Sequence, residues 1–182
     1  MKTVKIVGIS GVGKTRIINT LVSANSHITS ISYSDFLIEC SGLRIDQLGQ
    51  LTVAHYEAAS VALRNRLASI KERGMHDLVL MDDHLELVTA KDLVNLYRDE
   101  LTVAMILLEA PAIDIVARRL SDRQRVRPQD SIEQIDLTQQ EIHSRAVELS
   151  RALDIPPLIV QNRNPRHTAG RIESFLRCLL GD

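Results

Sequence analysis

Gly8-Ile9-Ser10-Gly11-Val12-Gly13-Lys14-Thr15 reads G-x-x-x-x-G-K-T and follows the apolar run Val4-Lys5-Ile6-Val7. This pattern is a phosphate-binding P-loop when a strand precedes it and a helix follows. Its glycines let the backbone curl until successive N–H groups point at one anion, and the helix adds its positive end. Lys14 can then reach the β- and γ-phosphates, and the Thr15 hydroxyl is placed for Mg²⁺. Ser10, Gly11, Val12, Gly13, Lys14, Thr15 and Arg16 are therefore the candidate nucleotide-binding residues. Lys14 is read as a point charge outside the core, and a nucleoside triphosphate is the expected ligand.

Apolar runs alternate with amphipathic stretches along the rest of the chain. Strands are predicted over Thr3–Val7, Ile28–Tyr33, Leu78–Met81, Leu101–Leu108 and Pro157–Val160. Helices are predicted over Lys14–Ala24, Thr52–Arg73, Pro111–Leu120, Ser131–Leu153 and Ala169–Leu180. Val53, Tyr56, Leu63, Leu67 and Ile70 form one helical stripe, and Ile132, Ile135, Ile142, Leu149 and Leu153 form another. Gly74 is placed to end the first of these helices. Strands separated by helices imply right-handed crossovers, so the expected fold is α/β: a five-stranded parallel sheet with helices on both faces. Ligands of such sheets sit beyond the carboxyl ends of the strands. That rim collects the P-loop, Tyr33–Asp35, Asp82-Asp83-His84 and Asn162-Arg163-Asn164.

Size and charge narrow the partners. With 182 residues, 45% of them apolar and 25% charged, the chain is expected to be one domain with a substantial core. A net charge of −1 provides no general basic field, so nucleic acid is not an expected partner and any cationic chemistry must be local. No run is long enough to span a bilayer, and the early first strand leaves no room for a signal peptide, so a cytoplasmic location is expected. Cys40 and Cys178 have no paired spacing and read as reduced thiols, and the six histidines show no ligand pattern.

Three further constellations carry chemistry. Val79-Leu80-Met81-Asp82 is an apolar strand ending in a carboxylate, which places Asp82 to fix Mg²⁺ through water. Beside it, His84 suits a helix cap or a core hydrogen bond as well as an acceptor-side contact. Arg118-Arg119-Leu120-Ser121-Asp122-Arg123-Gln124-Arg125-Val126-Arg127 places five arginines within ten residues. It reads either as a solvated loop or as a cap whose guanidinium forks neutralise a transferring phosphoryl group. No aromatics interleave with the arginines, which disfavours nucleic acid. Ser32-Tyr33-Ser34-Asp35-Phe36 is either part of an acceptor pocket or a connection carrying a short amphipathic helix.

With these residues laid out, the chain resembles the archaeal-type adenylate kinases within the P-loop nucleoside monophosphate kinase family. Val7–Thr15 is similar to that family's P-loop, and Tyr33–Leu37 falls at its Gly-Asp-hydrophobic acceptor turn. Asp82-Asp83-His84 resembles its Asp-Thr-His strand end, and Arg119 with Asp122–Arg127 resembles its D-x-x-R-x-R lid. The resemblance implies a three-layer P-loop kinase fold with an acceptor region about residues 32–65, formed as a helical insertion, and a short Arg-rich lid about 121–131. It implies transfer of the γ-phosphoryl group of Mg·ATP to a nucleoside monophosphate, with AMP expected. Lys14, Arg119, Arg125 and Arg127 would be catalytic, Asn162 would border the adenine, and Asp35, Arg44 and His84 would contact the acceptor. The family includes oligomers, so a homo-oligomer is compatible with the sequence. Two departures fall on the acceptor side. Gly49 stands where a phosphate-holding arginine is expected, leaving Arg44 as the substitute, and Leu85–Lys91 replaces a G-Y-L-P-G-L-P segment. A kinase for another small acceptor, or a regulatory P-loop ATPase module, is the alternative.

Overall fold

The computed structural model describes residues 1–43, 50–83, 85, 101–122 and 130–181. Five strands, β1 (Lys2–Val7), β2 (Ile28–Ser32), β3 (Leu78–Asp82), β4 (Thr102–Glu109) and β5 (Pro157–Gln161), form one sheet in the order β2-β3-β1-β4-β5. Every pairing is parallel, with Val4 opposite Leu80 on one side and Ala104 on the other. Six helices accompany it among the described residues: α1 (Lys14–Ala24), α2 (Tyr33–Ser41), α3 (Val53–Arg73), α4 (Ala112–Ser121), α5 (Ile132–Leu153) and α6 (Pro165–Leu180). None of them is long and apolar enough to cross a membrane.

The central strands β1, β3 and β4 are largely buried because helices cover both faces, whereas the edge strands β2 and β5 are partly exposed. Leu78, Val79, Leu80 and Met81 have no exposed surface at all. Ile17, Ile18 and Leu21 of α1 and Ile172 and Leu176 of α6 join Ile115, Ile142 and Leu149 in one large core with the central strands. A second cluster sets Tyr33 and Leu37 of α2 and Tyr56, Leu63 and Leu67 of α3 against Val79 and Met81. At roughly 1.5–3 kcal/mol for each buried large aliphatic side chain, these contacts hold the helices against the sheet.

Two departures from the predicted elements lie at helix starts and have a local cause. Tyr33, expected to end a strand, opens α2, because the Ser32 hydroxyl accepts from the Asp35 N–H and caps the helix one residue earlier. The helix α6 starts at Pro165 instead of Ala169, since Asn164 Oδ1 caps the N–H groups of Arg166 and His167. Val53 and Ile132, expected in the buried stripes, are exposed. Each is the first residue of its helix, and side chains there project past the helix end. Gly74 does end α3, in the left-handed conformation at φ 63°.

The chain leaves β1 toward β2, and β4 then lies on the other side of β1. The loop after β1 thus stands where the strand order reverses, the usual crevice for ligands in an open parallel sheet.

Candidate functional site

The loop between β1 and α1 turns through three glycines of positive φ, Gly8, Gly11 and Gly13. Gly13, at φ 101° and ψ 20°, is the N-cap of α1. Among the described residues no side chain caps it and no acidic residue stands in the first turn. Helix amides left without internal acceptors at such an end suit an anion. A cavity of about 310 Å³ opens there, lined by Ser10, Gly11, Lys14, Thr15 and Arg16, with Asp82 beside them.

Lys14 departs from its expected place outside the core. It is only 5% exposed. Its ammonium donates to Gly8 O at 2.6 Å and Ile9 O at 3.4 Å and lies 3.8 Å from Asp82 Oδ1. A loop curled to present N–H groups on one side presents carbonyls on the other, and the ammonium satisfies two of them. Val12, also expected to bind nucleotide, does not line the cavity. Its side chain is fully buried and its N–H donates to Ile9 O at 3.3 Å.

Asp82 and Thr15 are brought together as the sequence suggests. The Thr15 hydroxyl donates to Asp82 Oδ2 at 3.1 Å. Asp82 Oδ1 is buried and has no hydrogen-bond donor among the described residues. Burial pushes the Asp82 carboxyl above its ordinary value, against the downward pull of Lys14 and of the Thr15 hydrogen bond. A hydroxyl and a carboxylate with a spare oxygen fit Mg²⁺, which takes one or two protein oxygens and completes its shell with phosphate and water. No cluster of three or more His, Cys, Asp or Glu side chains among the described residues offers a closed protein cage.

The two arginines that end α4 both turn to the loop. Arg119 Nε donates to Ser10 O at 3.0 Å and its Nη1 pairs with Asp130 at 2.6 Å, so it holds the loop and the segment leading into α5. That differs from the expected contact with phosphates. Arg118, not singled out in the sequence, donates to Val12 O and Asn162 O, both at 2.8 Å. Asn162, expected beside the adenine, is buried, and its Nδ2 donates to Val12 O at 2.7 Å. One signal could have found Arg118: it lies three residues after Ile115, which is fully buried beside Gly11, so helical periodicity turns Arg118 and Arg119 to the loop as well.

From the end of β2 and the first turn of α2, Ser32, Ser34 and Asp35 line the same cavity. Beneath them Lys5 and Asp83, both buried, face each other at 4.0 Å. Burial, reinforced by Asp83, holds the Tyr33 and Tyr56 phenols above their usual range, so both stay neutral in the packing under α2 and α3. The predicted residues Arg44, Gly49, His84, Arg125 and Arg127 lie outside the described residues.

Comparison with known proteins places this geometry. The AAA domain family matches residues 7–136. The chain is 30% identical over 172 residues to a protein named adenylate kinase from Methanothermobacter thermautotrophicus, covering 90% of this chain and 92% of that one. A sugar kinase from Janibacter sp. superposes with a TM-score of 0.66 at 17% identity, over 97% of this chain and 94% of that one. Shikimate kinase from Bacteroides thetaiotaomicron superposes at 0.64 and 14%, over 97% and 98% of the two chains. These two likenesses speak for the fold alone.

Proposed function

The chain belongs to the P-loop kinases of the nucleoside monophosphate kinase family, and from that premise we propose that it transfers the γ-phosphoryl group of Mg·ATP to a nucleoside monophosphate, with AMP as acceptor. The observation that carries the proposal is the composition of one cavity. Lys14, Thr15 and Asp82 line it together with Ser34 and Asp35 from the first turn of α2. A donor phosphate chain on the loop and an acceptor at α2 would meet in that space. AMP is favoured because the named relative, matched over nearly its whole length, is an adenylate kinase.

Phosphoryl transfer needs little covalent help from protein, and positioning with charge stabilisation supplies most of the rate. In this reading, Gly11–Arg16 amides and the Lys14 ammonium hold the β- and γ-phosphates. To reach them, Lys14 gives up its bonds to Gly8 O and Ile9 O, exchanging carbonyl partners for anionic ones. Thr15 and, through water, Asp82 would hold Mg²⁺, which supplies charge neutralisation between the phosphates. Arg125 and Arg127 would close over the reacting centre, with Arg119 anchoring the segment they belong to. A monophosphate oxygen is already anionic, so the acceptor needs orientation by Asp35, Arg44 and His84 and no protein base. We place the whole in a single domain of residues 1–182, with the acceptor region about 32–65 and the lid about 121–131.

A second acceptor class has one observation in its favour. The described acceptor wall holds Ser32, Ser34 and the Asp35 carboxylate, a set that suits a hydroxyl whose proton a carboxylate can accept. An assay of ADP formation from Mg·ATP, run across nucleoside monophosphates and small polyols, separates the two. AMP-dependent turnover supports the proposal. Turnover with a polyol alone transfers the reading to that class, and ATP binding without acceptor-dependent turnover points to a regulatory module.

A further inference from the structure

We propose that Arg118 is a positioning residue for the phosphate loop. Together with Asn162 it sets the plane of the Val12–Gly13 peptide so that the Gly13 N–H points into the nucleotide cavity. This rests on nucleotide binding at the loop and not on which acceptor takes the phosphoryl group.

The argument starts from the peptide unit. It is planar and trans, so its C=O and N–H point in opposite directions. Fixing one fixes the other. The Val12 carbonyl receives two donors, Arg118 Nη1 at 2.8 Å and Asn162 Nδ2 at 2.7 Å. The Gly13 N–H on the far side of that peptide is thereby turned away from both donors, and Gly13 lines the cavity, as Arg118 and Asn162 do from their own side.

Both donors are themselves held. Arg118 Nη2 donates to Asn162 O at 2.8 Å, so one guanidinium spans the loop and the turn after β5. Asp114, one helical turn back, lies 4.0 Å from the same nitrogen and directs the fork. The Asn162 N–H donates to Glu109 O at 2.6 Å, tying that turn to the end of β4. The Asn162 side chain leaves its Oδ1 buried without a donor among the described residues. Reversing the amide would set that oxygen against the Val12 carbonyl, so the Nδ2 bond decides the orientation. Gly13 makes the approach possible, since a Cβ there would stand 2.6 Å from Asn162 Nδ2.

Arg118 spends its two terminal nitrogens on carbonyls, and Arg119 does the same to Ser10 O through Nε. Neighbouring arginines on α4 therefore pin alternate carbonyls of the loop, at Ser10 and Val12. Donors fixed before the anion arrives need no reorganisation when it binds, which is where preorganised sites gain their strength.

The test is calorimetric binding of adenosine, Mg·ADP and Mg·ATP to the full chain, with thermal unfolding recorded alongside. In the wild type the step from adenosine to ADP measures what the loop contributes. Arg118→Ala should lose about tenfold in that step, the equivalent of one charge-assisted hydrogen bond, over and above any change in adenosine affinity, since Arg118 itself lines the cavity. Arg118→Lys keeps the cation but only one of the two bonds, and should lose about threefold; it carries the comparison if the alanine variant does not fold. A fall in Tm with the adenosine-to-ADP step intact would reduce Arg118 to a structural brace and overturn the proposal. A loss confined to the step from ADP to ATP would make it a direct γ-phosphate contact and overturn it equally. A wild type that gains nothing from adenosine to ADP would overturn nucleotide binding at the loop, and this proposal with it. A normal step without acceptor-dependent turnover would count only against the acceptor reading.

Discussion

Replacing Gly13 by alanine should destabilise the fold and damage the site together, by an amount the geometry sets. At φ 101° and ψ 20° a side chain is strained, at roughly 1–2 kcal/mol for a left-handed L-residue. The added Cβ would lie 2.6 Å from Asn162 Nδ2, too close for that nitrogen to keep its 2.7 Å bond to Val12 O. Losing a buried hydrogen bond adds about 1 kcal/mol, for a total of about 2–3 kcal/mol. In a domain of this size that lowers Tm by roughly 4–12 °C. Gly170 is the control. It lies within α6 and a Cβ there would meet nothing within 4 Å, so Gly170→Ala should stabilise by roughly 0.5–1 kcal/mol through helix propensity. Thermal unfolding of the two variants beside the wild type makes the comparison. Shifts of the same sign, or a Gly13→Ala protein within a degree of wild type, would refute the packing argument at the loop.

Further expectations concern chemistry. Lys14→Met should lower turnover by on the order of 10²-fold or more, measured as ADP formation, and should cost about 1 kcal/mol in urea unfolding because Gly8 O loses its donor. Asp82→Asn should raise the Mg²⁺ concentration needed for half-maximal turnover. It should also raise Tm at neutral pH. The Asp82 carboxyl titrates above its ordinary 3.8 in the fold, so its contribution is most favourable below that value and is lost as pH rises through the raised one. The Tm advantage of the variant should shrink toward pH 4, and a pH-independent difference would show that ionisation is not its source. Arg125→Ala and Arg127→Ala should depress kcat far more than they shift Tm if the two act on the transferring group; unchanged kcat in both would remove them from the proposed lid.

The sheet was legible because its central strands are buried on both faces, and runs such as Leu78–Met81 have no polar interruption to mislead. Helix starts were less so. Ser32 and Asn164 are small polar residues whose side chains cap backbone groups; the first ends the second strand one residue early, and the second starts the last helix four residues early, without disturbing the apolar pattern. At the site, the Thr15–Asp82 pair followed from motif and strand end alone. Arg118 did not, because an arginine run gives no direction: only the helix phase, set by Ile115 packing beside Gly11, turns two of its members to the loop. Burial of Lys14 escaped for a related reason. Its partners are the carbonyls of Gly8 and Ile9, and no sequence shows which way a carbonyl points.

The most direct test of the account follows the labelled phosphoryl group. The protein is incubated with Mg·[γ-³²P]ATP and unlabelled AMP, and the products are separated. The account predicts label in ADP formed from AMP, with unlabelled ADP released in equal amount from ATP, and loss of that transfer in Lys14→Met. Label appearing only as inorganic phosphate, or remaining wholly on ATP even at millimolar AMP, would contradict it.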